Sequence, residues 1–539
     1  MGGVPSEQAG YQSYPPPSTA PPPQQYQQHQ PPPPQPYQYQ QPNEPKYNQQ
    51  PPTYGQNFTP PRDNKQTFQE TFKIQKPKYN DIWAGLLFIA TFLGFVAVSG
   101  LTLYRYSRYH SFNGGGIYDS RNDFSLDTNT VVLFIFVIAV GFVVSWAYFL
   151  ACRAFTKQFV WITGILNCVL AVGTAAYYLY LRLWAAGIVF AIFAIFAIFC
   201  FISWIPRIPF TVVMMQQTMD IARMKKVHVF LISLIGGIIS VALSAWFSIT
   251  LVAVYVSYMP GNSDSNANPA CASGGCSSGK VIGIVVFVTF AGYWISEWLK
   301  ATIHTTVAGT YGSWYFCARK PGGIPRGATA GALRRATTYS FGSLSLGSLL
   351  VALINMLRQA CSIAQQQEST DGNIIGTIMF CVLGCLISML QWLVEFINRY
   401  AFCHIALYGK AYIAAAKDTW KMMKDRGFDA MATDCLVGPV ISMGALFVAY
   451  LTALLAYLYL EFTKPAYNDG RTFTPVIMAF AFLIGLQICK VFMTPVLSGV
   501  ETIFVAMAWD PQVLMTDHPE FFDRLVHVYP RVQQMIQTA

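Results

Sequence analysis

The sequence predicts an all-α polytopic membrane protein with about ten transmembrane helices, both termini cytoplasmic, and a disordered Pro/Gln-rich tail at its N-terminus. Three observations carry this. Ten long apolar segments lie between residues 82 and 497, most of them reaching the ~20 residues that cross a hydrocarbon core of about 30 Å. The Lys and Arg residues between the segments fall mainly on alternate connections. The first 60 residues hold Pro, Gln and Tyr with almost no aliphatic side chain to bury.

The predicted spans are 82–104, 130–152, 158–179, 183–205, 227–259, 281–303, 337–360, 374–395, 437–460 and 474–497. With the N-terminus in the cytoplasm, 25 of the 35 Lys and Arg lie on the inner side. They occupy the tail, the connections 153–157, 206–226, 304–336 and 396–436, and the C-terminus. Such a bias sets the orientation of a multi-pass chain.

Composition agrees with insertion in a bilayer. The chain is 53% hydrophobic and 11% charged, whereas a soluble domain carries about 25% charged residues. The net charge of +10 forms no separate basic domain and points to no nucleic-acid partner; it suits inner-face contact with anionic lipid. The chain opens on polar residues, so the first span is expected to serve as its own insertion signal.

Residues 1–75 read as a disordered cytoplasmic tail, 76–500 as the ten-helix domain and 501–539 as a short cytoplasmic C-terminal segment. The tail segment YPPPSTAPPPQQYQQHQPPPPQPYQYQQP buries too little to fold. Its Pro runs make SH3- or WW-type domains candidate partners, and a solvated tail is the alternative. The sequon Asn57-Phe-Thr59 falls inside this tail, so no N-glycan is expected. The C-terminal segment is broken at Pro511, Pro519 and Pro530 and is expected to pack on the inner face.

Most of the twelve cysteines sit in or beside apolar spans as small hydrophobes. Cys271 and Cys276 instead share the polar loop SDSNANPACASGGCSSGK, placed outside, where an oxidising compartment favours a disulfide over free thiols. The loop offers too few ligands for a metal. GGCSSGK spaces Gly274, Gly279 and Lys280 like a phosphate-binding loop, but Val281 replaces the hydroxyl residue and no strand precedes it. No GxSxG elbow or HExxH helix occurs, the His residues are scattered, and neither enzymatic catalysis nor a cofactor or metal is expected.

The informative residues interrupt the spans, because a charge in a bilayer persists mainly when it is paired or faces a water-filled path. Glu297 and Lys300, in GYWISEWLKATIH, are three residues apart and share a helix face. Glu395 lies in LQWLVEFINRYAF and Lys490 interrupts the last span; Asn167, Asn355 and Gln487 add neutral polar groups. Aromatics flank both acidic positions: Tyr293, Trp294 and Trp298 near Glu297, and Trp392, Phe396 and Tyr400 near Glu395. A carboxylate with aromatic faces is the chemistry of an organic-cation site. The candidate substrate-binding set is therefore Glu297, Glu395, Trp294, Trp298, Trp392, Tyr400 and Asn398. The structural alternative is that the aromatics belong to the interfacial belts. The small residues of AGTYGSW (308–314) and SFGSLSLGS (340–348) are expected to bring helices into close contact, with a hinge at Gly342 and Gly347 as the alternative.

Three longer stretches, TYSFGSLSLGSLLVAL (338–353), NRYAFCHIALYGKAYIAAAKDTW (398–420) and GYWISEW (292–298), resemble the signature regions of the choline transporter-like family, and most resemble its fungal branch. The resemblance runs from about residue 75 to the end and includes YGSWYF (311–316). It implies a ten-helix plasma-membrane protein with both ends inside. From the animal members it implies movement of choline or ethanolamine with proton exchange as candidate coupling. A non-transporting scaffold that recruits partners through the tail is the alternative function.

Overall fold

The computed structural model describes residues 78–109, 128–180, 182, 184–224, 227–258, 277–320, 322–425, 435–465, 468 and 474–533. The tail, the sequon at Asn57, and Cys271 and Cys276 lie outside the described residues. Every described cysteine is a free thiol.

The described residues form helices and no strand. In chain order they are α1 (Ile82–Tyr109), α2 (Thr128–Ala154), α3 (Thr156–Tyr180), α4 (Trp184–Trp204), α5 (Ile208–Ala222), α6 (Val229–Tyr258), α7 (Ser278–Cys317) and α8 (Ala328–Thr337). They continue with α9 (Phe341–Thr370), α10 (Ile374–Tyr408), α11 (Tyr412–Asp425), α12 (Val437–Thr463), α13 (Thr474–Trp509), α14 (Pro511–Asp517) and α15 (Pro519–Val528). Among the described residues ten helices are long and apolar enough to cross a membrane, with α4 and α5 counted as one. Each overlaps one of the ten predicted segments.

Each outer helix shows why a lipid-facing sequence reads so clearly. On α4 the side chains of Phe193, Ile195, Phe196 and Phe199 are all exposed, and the helix packs chiefly on α3. Unlike a soluble protein, it has no polar face to offset them. Its run ends at Ile205-Pro-Arg207, a single 3-10 turn, and α5 restarts with Pro209 in its first turn. Proline supplies no amide hydrogen, and both prolines stand in the first turn of a helical segment, where none is needed.

The inner ends of several spans differ from expectation. The sequence placed 304–336 and 396–436 in connections, yet α7 continues to Cys317 and α10 to Tyr408. At 1.5 Å per residue the 40 residues of α7 extend about 60 Å. The segment 301–317 is buried along its whole circumference, against α8, α10 and α13. Its hydroxyls are satisfied on their own helix, Thr306 Oγ1 donating to Thr302 O at 2.7 Å, Thr310 to Thr306 O at 2.9 Å and Ser313 to Gly309 O at 3.0 Å. A polar helix can therefore run through a protein interior with no lipid-facing surface to mark it.

Helix α7 is the hub of the bundle, packing on α1, α6, α8, α9, α10 and α13. Small residues of α9 let its neighbours approach closely, as expected. A Cβ at Gly347 would lie 2.7 Å from the Phe402 ring and 2.8 Å from the Tyr412 ring, and one at Gly342 would collide with the carbonyls of Asn80 and Asp81. Both glycines sit within continuous helix α9 and serve close approach. The entry to α1 is held at the same place. Asp81 Oδ2 accepts from Ser343 Oγ at 2.6 Å and from the Tyr412 amide at 2.9 Å, and Asn80 Nδ2 donates to Gly409 O at 3.0 Å.

The C-terminal helices start at the predicted prolines and dock on the same end of the bundle. Tyr529 stacks on Phe210 of α5 with ring centroids 4.7 Å apart. Arg524 Nη2 donates to Gln217 Oε1 at 2.9 Å.

Candidate functional site

Four helices, α7, α9, α10 and α13, bring the polar interruptions together in two layers. The first layer is a belt. Lys300 Nζ is 2.7 Å from Glu297 Oε1, as their spacing of three predicts. Lys490 stands on α13, Arg358 on α9 and Glu395 on α10, and all three are exposed. Glu395 Oε1 accepts from Gln391 Nε2 at 2.8 Å, and Gln391 Oε1 accepts from Arg358 Nη1 at 3.1 Å. The belt extends through Tyr293, whose hydroxyl donates to Gln359 Oε1 at 2.6 Å. Gln487 Nε2 approaches Ser296 Oγ at 3.4 Å.

The second layer is enclosed. Arg399 Nη1 is 3.2 Å from Glu501 Oε1, and His304 Nδ1 is 3.7 Å from Glu501 Oε2. The Glu501 side chain is 3% exposed and that of Arg399 33%, so the guanidinium bridges an enclosed carboxylate and a more open space. His304 Nε2 donates to the Arg399 carbonyl at 2.9 Å. With that nitrogen committed, Nδ1 turns a lone pair to Glu501 Oε2 unless a proton lies between them. Cys403 Sγ sits 3.4 Å from the same imidazole and 3.5 Å from Thr502 Oγ1. Glu501 Oε2 and Arg399 Nε are buried without a hydrogen-bond partner among the described residues, which is costly in an interior.

Towards the C-terminal ends of α10 and α13 the polar side chains are closed on one another. His404 Nδ1 donates to Tyr400 O at 2.9 Å, and its Nε2 accepts from Trp509 Nε1 at 2.8 Å, which fixes one neutral tautomer. Tyr408 Oη donates to Asp510 Oδ2 at 3.1 Å. Lys410 pairs with Asp418 at 2.5 Å and lies over the rings of Tyr408 and Trp509. His518 stacks on Trp314 with ring centroids 4.1 Å apart, and its Nε2 donates to Tyr315 O at 2.9 Å. Burial there pushes its pKa below the ordinary value.

The structure distributes the sequence-predicted residues unequally. Glu297 pairs with Lys300, and Glu395 accepts from Gln391. Asn398 is enclosed, its Nδ2 donating to Gly347 O at 2.9 Å and its Oδ1 accepting from the Tyr412 hydroxyl. Burial pushes that phenol up to about 12, so it remains a donor. Tyr400 is buried, and its ring meets Phe396 edge to face at 5.2 Å.

The tryptophans do not form one box. Trp294 is 0% exposed, packed on Phe88 and Phe290, with its Nε1 donating to Ser345 O at 3.0 Å. Trp298 packs on Phe88 and Phe341, and its Nε1 is buried without a partner among the described residues. Trp392 is 62% exposed and stacks on Phe396.

Sequence reasoning missed His304, Arg399, Glu501 and His404, because it assigned their segments to connections or to the C-terminal segment. A signal was present: Glu501 stands in SGVETIFVAMAW, a run whose apolar character resumes for several residues after the carboxylate.

Fold and site together define a multi-pass helical membrane protein with charged side chains in its spans and an enclosed Glu501 carboxylate paired with Arg399. Residues 188–512 match a protein family described as "Plasma-membrane choline transporter". The chain is 60% identical over 489 residues to Protein pns1 of Aspergillus fumigatus, covering 91% of this chain and 89% of that one. It is 43% identical over 474 residues to Protein PNS1 of Candida albicans (87% and 90%) and 39% identical over 471 residues to that of Saccharomyces cerevisiae (86% and 87%). The chain belongs to the choline transporter-like family.

Proposed function

We propose that this protein is a plasma-membrane transporter for a small solute bearing an ammonium group, of the choline or ethanolamine type, with both termini in the cytoplasm. The observation that carries the reading is the belt. Charged side chains stand within the spans on four helices, Glu297 and Lys300 on α7, Arg358 on α9, Glu395 on α10 and Lys490 on α13, an arrangement that is expensive in a bilayer and characteristic of solute and ion paths. Glu297 and Glu395 are the carboxylates that would meet the ammonium group. Phe396, Tyr400 and Trp392 lie beside Glu395, while Trp294, Trp298 and Asn398 hold the surrounding helices in register. The Arg399–Glu501–His304 group, one layer further in, is the candidate for proton coupling.

The test is uptake of radiolabelled choline and ethanolamine into proteoliposomes, with and without a pH gradient. Glu297→Gln or Glu395→Gln is expected to reduce uptake severely while the purified protein remains folded. Unaltered uptake in both variants would remove the belt from the assignment. Deleting residues 1–70 should leave the flux intact, whereas a scaffold acting through its tail would lose its cellular effect.

A further inference from the structure

Helix α11, YIAAAKDTWKMMKD, divides its side chains between two faces. Tyr412, Ala415, Thr419, Met422 and Met423 are buried, and the helix packs on α10 and α9. Ile413, Lys417, Trp420 and Lys424 follow at intervals of four, three and four, which sets them on one face. All four are exposed, Ile413 by 58% and Trp420 by 57%. Asp418 lies off this face and is paired with Lys410 at 2.5 Å, so the face itself is apolar and cationic.

The place of the helix says what meets this face. Its first turn is fastened to the start of α1: Asp81 Oδ2 accepts from the Tyr412 amide at 2.9 Å, and Asn80 Nδ2 donates to Gly409 O at 3.0 Å. At Ile82 the first membrane-crossing helix begins, with Ile82 and Trp83 each 58% exposed. On its inner side Tyr412 donates to the Asn398 carboxamide oxygen and lies beside Gly347, both within other spans. Ile413, the next residue, therefore stands where the apolar spans meet the head groups. Trp420 is two turns, about 10 Å, further along the helix.

An exposed tryptophan is favoured at that boundary, where its ring meets the acyl ends and its N–H the polar zone. Lysines there rest their methylenes on apolar surface while the ammonium groups reach the phosphates. A neutral head group would answer only the apolar side chains. Lys417 and Lys424, interleaved with them, match a negative surface, which the cytoplasmic leaflet supplies.

We infer that the exposed face of α11 is a binding surface for anionic phospholipid of the inner leaflet, with Ile413 and Trp420 as apolar anchors and Lys417 and Lys424 as the head-group contacts. This surface requires the cytoplasmic placement of the termini proposed above and is independent of the solute carried.

The test uses the full chain in dodecyl maltoside micelles, with native cysteines replaced and an NBD fluorophore on Ile413→Cys. It is titrated with phosphatidylserine and, separately, with phosphatidylcholine. The emission is expected to shift to the blue with both lipids, at a phosphatidylserine midpoint about thirtyfold below that of phosphatidylcholine, roughly fivefold for each lysine at an anionic surface. Lys417→Gln with Lys424→Gln is expected to close that gap and leave the phosphatidylcholine midpoint where it was, which a variant that merely misfolds cannot do. Lys417→Arg with Lys424→Arg is expected to keep the gap, and Trp420→Ser to raise both midpoints alike. Equal midpoints with both lysines present, or a gap that persists in the Gln pair, overturns the inference. Emission that stays at its value in water with both lipids leaves the face to solvent or to a protein and overturns it as well. Labelling of Lys424→Cys from outside intact cells would overturn the assignment to the inner leaflet.

Discussion

Arg399 and Glu501, 102 residues apart in the chain, meet with Nη1 3.2 Å from Oε1, and the two side chains differ in their access to solvent. Removing the guanidinium strands a carboxylate in the interior. Arg399→Met is therefore predicted to cost about 3–5 kcal/mol, read as a fall in the melting temperature of the purified protein. Glu501→Gln should cost less, because Arg399 is a third exposed and can be solvated. Replacing both, Arg399→Met with Glu501→Leu, should recover much of the loss. A silent Arg399→Met would show that the pair is not held in this geometry.

The glycines of α9 give a second test. Gly342→Ala drives a methyl group into backbone carbonyls that cannot rotate away, and the cost should reach or exceed the roughly 1–3 kcal/mol of an overpacked core. Gly100→Ala, where a Cβ would meet nothing within 4 Å, should be neutral or slightly stabilising. Equal melting temperatures for the two variants would contradict the close approach of α9 to the residues preceding α1.

Trp294 and Trp392 separate packing from solute contact. Trp294→Ala empties a fully enclosed site and should cost about 3–5 kcal/mol. Trp392→Ala removes an outward ring and should leave the melting temperature nearly unchanged. An altered KM at normal stability in Trp392→Ala would assign that ring to the solute path.

His518 predicts a pH dependence at the C-terminal end. Burial lowers its pKa in the folded state, while the released residue titrates at its ordinary value of about 6.5. The unfolded form then binds the proton first, so the docking of α14 and α15 is fully stable above about pH 6.5 and weakens as the pH falls below it. Proteolysis or hydrogen exchange of residues 511–533 across pH 5–8 measures this. His518→Gln should flatten the profile.

Orientation is open to a direct measurement. In a variant lacking native cysteines, a cysteine at Lys424 should react with an impermeant maleimide only after the cells are permeabilised. One at Gly372, in the turn between α9 and α10, should react in intact cells. The reverse pattern would invert the topology.

The spans themselves were legible because hydrophobicity is local. Residues 184–204 declare a lipid-exposed helix without reference to any other part of the chain. Glu297 and Lys300 were legible for the same reason, since a separation of three places both on one helix face whatever surrounds them. His304 was not. It follows the last apolar turn of its span, and only burial by α10 and α13 turns a Thr-rich stretch that resembles a loop into an interior helix. Residues close to a carboxylate along a helix point around its whole circumference, so sequence proximity alone does not say which ring shares its surroundings. Trp294 thus enters the core while Glu297 joins the belt.

The amino-acid sequence alone determined the class of fold, the number and placement of the membrane-crossing helices, and the pairing of Glu297 with Lys300. All of these follow from side-chain polarity and helical periodicity over a few turns. Only the tertiary structure decided which charges share a space. The linking of Arg358 to Glu395 through Gln391, and the meeting of Arg399 with Glu501 and His304, depend on how α7, α9, α10 and α13 pack, and that packing is set by long-range contacts of small residues and buried rings.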